Sequence, residues 1–135
     1  EWVLFLVFNF VVSTMNYPYR ITFRTMLSSL EQHHGKQGEV TSIIAEPNDG
    51  YDMACLPLFN VRLDDGSEIV AAEDEIHCEQ TYSAVKQWCM EHLDEIAYRG
   101  GTTIEQAKQK IEESVYDPRE YADQHPCYEF EDGKE

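Results

Sequence analysis

Residues 58–72 constrain the fold more than any other stretch of this chain. In Leu58-Phe59-Asn60-Val61-Arg62-Leu63, the apolar Phe59, Val61 and Leu63 alternate with polar Asn60 and Arg62, the period of a strand with one buried face. Asp64-Asp65-Gly66 then reads as a hairpin turn, because glycine supplies the positive φ that a tight turn needs and aspartate tolerates turn geometry. Glu68-Ile69-Val70-Ala71-Ala72 returns as the partner strand. Upstream, Gly38 to Glu46 is rich in β-branched residues and bounded by Gly38 and Pro47, and Pro47-Asn48-Asp49-Gly50 is a turn cluster. Glu73-Asp74-Glu75-Ile76 reads as a short tight turn that returns Ile76 to the core.

A glycine, a Val-x-x-Ile strand, a loop, Val-x-Leu-Asp-Asp-Gly, a return strand and a closing Glu-Asp-x-Ile follow one another here. The residues are Gly38, Val40, Ile43, Val61, Leu63, Asp64, Asp65, Gly66, Glu73, Asp74 and Ile76. This stretch resembles the SH3-like barrels of the Tudor and KOW kind. The resemblance spans residues 38–80 alone and implies a small antiparallel barrel of the sort that acts as a binding module or as a small subunit of an assembly. Some Tudor-like modules hold methylated lysine in an aromatic cage. The aromatics on hand are Tyr51, Phe59 and Tyr82. Phe59 alternates with Val61 and so points to the core, and Tyr51 alone makes no cage; packing is the better reading.

The C-terminal half reads as helical. Thr81 can cap a helix to about Tyr98, with Val85, Trp88, Cys89, His92, Leu93 and Ile96 on one apolar stripe. Arg99 suits its negative end, and Gly100-Gly101 stops it. Thr102-x-x-Glu105 and Thr103-x-x-Gln106 offer two capping registers for a second helix, with Ile104, Ala107, Ile111 and Val115 on a narrow stripe. Asp117-Pro118-Arg119-Glu120 starts a third, short helix to about Gln124. The expected architecture is α+β: a small SH3-like antiparallel β-barrel over 38–80, followed by two or three packed C-terminal helices over 81–127 and an acidic tail over 128–135. So small a barrel hides little apolar area alone, so the Trp88 stripe is expected to cover one face.

Residues 1–14 are an apolar segment, with Asn9 the sole polar residue between Trp2 and Val12. That run is too short for a bilayer, which takes ~20 residues. Three readings stay open: an upstream extension before Met15, a buried strand, or a signal-like segment lacking a basic leader. The compartment follows: cytoplasmic, or secreted if residues 1–14 are a signal remnant. Residues 15–37 read as a linker with a short strand around Ile21 and Phe23, then a helix over Thr25 to His34 striped by Met26, Leu27 and Leu30 and stopped by Gly35.

Charge narrows the function. The net charge is -16, with residues 1–38 at +1 and residues 39–135 at -17. Such a surface repels nucleic-acid phosphates and anionic lipid. The four cysteines, Cys55, Cys78, Cys89 and Cys127, form no C-x-x-C. Cys89, His92, His125 and Cys127 could together offer two nitrogens and two sulfurs to zinc. Yet Cys89 and His92 lie on the apolar stripe, where a buried thiol is an ordinary small hydrophobe. His33-His34 reads as a solvated pair at a helix end. No nucleophile elbow, Walker loop, dinucleotide glycine motif or H-E-x-x-H is present. The resulting expectation is a non-enzymatic acidic interaction module or small subunit. Its partner is a protein with a basic surface, and Glu73, Asp74, Glu75 and Tyr51 are the candidate contact residues. No cofactor, direct nucleic-acid contact or membrane span is expected. Two alternatives follow: a DNA-mimic inhibitor of a nucleic-acid-binding enzyme, and then a metal- or carboxylate-dependent enzyme.

Overall fold

A computed structural model gives the structure of the chain and describes residues 16–119. The three readings of residues 1–14, the end of the third helix, His125, Cys127 and the acidic tail lie outside the described residues.

Four antiparallel strands pair in the order β1-β2-β3-β4: β1 Tyr19–Thr22, β2 Gln37–Ile44, β3 Leu58–Leu63 and β4 Glu68–Ala71. Among the described residues three helices follow, α1 Glu79–Glu91, α2 Leu93–Gly100 and α3 Ile104–Glu113. The class is α+β, as expected. Among the described residues the ladder links only chain neighbours, so β1 and β4 are its edges. The sheet also starts before residue 38, because β1 joins it through Tyr19 opposite Val40. None of the helices in the described residues is long and apolar enough to cross a membrane.

Two local features explain how β2 joins β3. Val40 and Ile43 are three residues apart, which strict alternation would place on opposite faces. Val40 pairs with Val61 while Ser42 pairs with Asn60, so Thr41 is the extra residue of a β-bulge. The bulge lets both Val40 and Ile43 face the core, and it is pinned by Thr41 Oγ1 donating to the Asn60 carbonyl and Asn60 Nδ2 donating to Ser42 Oγ. Gly38 answers a close approach: a Cβ there would lie 2.5 Å from the Arg62 carbonyl oxygen and 2.7 Å from Leu63 Cα.

The hairpin forms at Asp64-Asp65-Gly66, with Gly66 at φ 94° and its N–H donating to the Leu63 carbonyl. Its two acids do not face solvent unpaired. Arg20 grips Asp64 through two bonds of 2.9 and 2.7 Å, and Lys36 Nζ lies 2.6 Å from Asp65. Two of the three cations of the slightly basic N-terminal stretch, Arg20 and Lys36, are therefore counter-ions to the turn.

The core gathers Tyr19, Ile21, Phe23, Val40, Phe59, Val61, Leu63, Ala71, Ile76 and Ala84. Phe59 is fully buried, as its alternation requires. Val85 packs against this core from α1, while Trp88, itself buried, donates its indole N–H to the Ala45 carbonyl just past β2.

The segment expected as a helix from Thr25 is instead a 3-10 helix, Ser28–His33. The Thr25 backbone N–H is claimed by His34 Nδ1, and Thr25 Oγ1 accepts the Leu27 N–H, which holds the chain out of helical geometry. Of the expected stripe only Leu30 packs on the core; Met26 is 67% and Leu27 55% exposed. Gly35 does end the segment, at φ 86°.

The long helix is also revised at both ends. It begins after Cys78, and Thr81 is buried with its hydroxyl 2.8 Å from the Tyr19 hydroxyl rather than capping. It breaks at His92, whose φ of -131° is not helical. The His92 ring competes for the local backbone: Nδ1 donates to the Trp88 carbonyl at 2.8 Å and the ring stacks on Trp88 with centroids 4.0 Å apart. Of the two registers for α3, the Thr103–Gln106 box forms, each side chain bonding the other's backbone. Of the stripe expected to pack, Ala107 is buried and Ile111 half-buried, but Ile104 and Val115, at its two ends, are exposed, so only the middle of the stripe is covered.

Candidate functional site

A half-open pocket of about 120 Å³ lies where α1, α3 and the 3-10 turn Glu73–Glu75 meet. Val85, Cys89 and Ile111 make its apolar walls. Helical spacing explains the first two: positions 85 and 89 are i and i+4 on α1. The far wall is carried by α3, which is tied back onto α1 at its C-terminal end. Tyr82 donates its hydroxyl to Ser114 Oγ at 2.6 Å, Ser114 Oγ donates to the Ile111 carbonyl, and Lys86 Nζ donates to the Ser114 carbonyl at 2.9 Å.

Aromatic rings flank this pocket. Tyr116 lies 5.1 Å from the His77 ring and 5.7 Å from the Tyr82 ring, the latter pair edge-to-face. Both His77 and Tyr82 line the pocket. Burial pushes the Cys89 thiol up to about 11, with the Glu73 charge adding to the rise and Arg99 opposing it. At neutral pH Cys89 is thus a protonated, apolar wall and a poor nucleophile. The Tyr116 phenol is raised as well, by burial first and then by charge interactions with Cys78, Glu79 and Asp117.

A second cluster clamps the 45–57 loop to the helices. The Arg99 guanidinium lies 5.4 Å from the Trp88 ring centre and donates to the Met53 and Leu56 carbonyls, while its Nε holds Glu95. His92 Nε2 lies 3.2 Å from Glu46. These contacts join backbone carbonyls to helix side chains and serve architecture. On the sheet a second, larger half-open concavity of about 490 Å³ runs over Thr41, Ser42, Asn60, Arg62, Glu68, Ile69 and Val70, its lining mixing polar and apolar groups about equally.

The residues expected to contact a partner separate in the structure. Glu73 and Asp74 are half-buried, and Glu73 lines the pocket. Glu75, a candidate contact residue, is only 8% exposed: its carboxylate accepts the Thr25 hydroxyl at 2.6 Å and the Ala72 N–H at 2.9 Å. Tyr51 is half-buried in the 45–57 loop, its N–H bonded to Asn48, and does not line the pocket. Cys89 and His92 diverge, the first to the pocket and the second to Trp88 and Glu46. Among the described residues no group of three or more His, Cys, Asp or Glu is placed to hold a metal ion. His77, Tyr116 and Ser114 carry no motif; their roles appear only once α3 folds back on α1.

Comparison with protein-family models, with curated proteins and with solved structures found no match to this chain.

Proposed function

We propose that the protein is a non-enzymatic interaction module, or a small subunit of a larger assembly, that binds a basic protein surface. The observation that carries this reading is an excess of exposed carboxylate over internal cation. Residues 16–119 hold 19 Asp and Glu against nine Lys and Arg. Five of those cations, Arg20, Lys36, Arg62, Arg99 and Arg119, are already within 4 Å of a carboxylate partner. The helices meanwhile expose Glu79, Glu91, Asp94, Glu105, Glu112 and Glu113. A field of that sign raises the encounter rate with a cationic surface and does so less as salt screens it.

Lys108 and Lys110 sit among the α3 acids, and the hairpin acids are paired, so the carboxylates do not run in the unbroken rows that duplex mimicry needs. This favours a protein surface over a nucleic-acid-binding cleft as the target. Affinity capture from the native source tests the reading. The expected result is a partner with a basic face that is released as the salt is raised from ~0.1 to ~0.5 M, where the Debye length falls to a few ångströms. Retention that does not change over that range counts against charge-led recognition.

A further inference from the structure

We propose that the pocket between α1 and α3 takes one arginine side chain of the basic partner, its stem against Val85, Cys89 and Ile111 and its guanidinium among Glu73, Tyr82 and Tyr116. This inference rests on the acidic-module reading and names the anchor that such a partner would present.

Size comes first. A pocket of about 120 Å³ falls well below the roughly 300–1,000 Å³ of clefts that enclose drug-sized ligands, so it suits a single side chain better than a cofactor. The walls are apolar and the rim is polar, which matches a side chain with a hydrocarbon stem and a charged tip. The sign of the tip follows from the surrounding charge. Glu73 raises the thiol at the wall, and Glu79 and Asp117 act in the same direction on Tyr116 beside the mouth. Glu73 itself lines the pocket, so its carboxylate is placed to meet a cationic tip. The opposing charge is Lys86, whose ammonium is drawn to the Ser114 carbonyl. Arginine is preferred to lysine because a planar guanidinium stacks on tyrosine faces and is less strongly hydrated than an ammonium. An arginine seated centrally in a desolvated pocket is also the residue type that dominates binding energy at many interfaces.

The test titrates the full chain with N-acetylargininamide, followed by NMR of the Val85 and Ile111 methyl groups. The uncharged isostere N-acetylcitrullinamide is the control. The expected result is saturable shifts at both methyls at low salt, with binding about fivefold tighter for the arginine probe than for the citrulline probe. Glu73→Gln should weaken the arginine probe several-fold. Lys86→Met, which removes a like charge, should strengthen it about two- to threefold, the opposite of what an anionic occupant would show. Equal binding of the two probes, shifts scattered over the helix carboxylates with none at Val85 and Ile111, or weaker binding in Lys86→Met overturns the proposal. Partner capture undiminished by Ile111→Trp, which fills the pocket, removes the pocket from the interface and leaves the acidic-module reading standing. Failure to capture any basic partner while the arginine probe still shifts both methyls has the converse meaning.

Discussion

Replacing Glu75 by glutamine separates an acid that builds the fold from the acids that surround it. Glu75 is nearly enclosed, and each carboxylate oxygen has its own donor: Oε2 takes the Thr25 hydroxyl and Oε1 takes the Ala72 N–H. Thr25 Oγ1 simultaneously accepts the Leu27 N–H, so the hydroxyl is held from both sides, with its single proton given to Glu75. The Glu75 carbonyl also accepts the Arg24 N–H, which fixes the two segments side by side. Glutamine has one acceptor oxygen and can keep one of the two side-chain bonds while turning an N–H towards the other donor. A hydrogen bond to a charged acceptor contributes ~1.5–3 kcal/mol, so Glu75→Gln should lose about 2 kcal/mol and Glu75→Ala about 3–5 kcal/mol. With a urea slope near ~1.5 kcal/mol/M for a domain of this size, the glutamine variant should unfold at a midpoint lower by roughly 1 M or more. Thr25→Val combined with Glu75→Gln in a double-mutant cycle should give a coupling of about 1–2 kcal/mol, because both changes remove one shared bond. Glu73→Gln, whose side chain lines the pocket instead, should move the midpoint far less. A wild-type midpoint for Glu75→Gln, or a coupling below ~0.5 kcal/mol, would show that the buried carboxylate is not the post on which the turn stands, and would return Glu75 to the candidate contact surface.

Three further outcomes follow from the same geometry. Gly38→Ala places a methyl 2.5 Å from the Arg62 carbonyl, forcing β2 away from β3; the strain of about 1–3 kcal/mol exceeds the ~0.4–1 kcal/mol gained by stiffening the unfolded chain, and thermal melting should show a net loss. Asp64 is held low by the Arg20 guanidinium and Asp65 by the Lys36 ammonium. A depressed carboxyl adds stability above the ordinary aspartate range, near pH 4, and loses it as the pH falls further, so carboxyl-carbon NMR should find both midpoints low, with Arg20→Gln returning Asp64 towards the usual value. Exposed Cys55 should be alkylated by iodoacetamide at pH 8 well before Cys89, which burial keeps as a thiol; peptide mapping that finds Cys89 modified first would contradict the pocket's enclosure.

What could be read in advance was whatever is encoded locally. The hairpin at Asp64-Asp65-Gly66, the interior direction of Phe59, the glycine stop at Gly35 and the Thr103–Gln106 cap each depend on residues a few positions apart, and each forms. The Val40-x-x-Ile43 spacing was visible too, although its cause, the bulge at Thr41, needs the partner strand. The misreadings share a different property. Thr81 has the residue type of a cap but bonds Tyr19, 62 residues away. Glu75 belongs to a run of three acids that looks solvated, yet a single 3-10 turn rotates the third of them towards Thr25, 50 residues back. The stripe from Val85 to Ile96 passes smoothly through His92, where the ring bonds backbone and breaks the helix. Long-range polar pairing leaves no periodic trace, and neither does the pocket, whose walls come from α1 and from an α3 that returns to it.

The placement of the cations decides where the acidity matters. Arg20 and Lys36 lie in the slightly basic N-terminal stretch, but in three dimensions they sit on the hairpin and cancel Asp64 and Asp65. Arg62 faces Glu39 across the sheet at 3.9 Å, yet residues 16–78 still hold 11 Asp and Glu against four Lys and Arg, so acid remains in excess there too. On the helical side Arg99 is spent on Glu95 and on loop carbonyls, and Lys86 is turned to Ser114. The exposed acids of α1, α2 and α3 therefore stand opposed chiefly by Lys108 and Lys110. A charge of this size spread evenly would only repel itself and keep the chain in solution. Where some of it lies on the helices that also wall the half-open apolar pocket, it would add long-range attraction to the short-range seat proposed there. On the proposed reading, charge would set the encounter and one buried anchor the residence time.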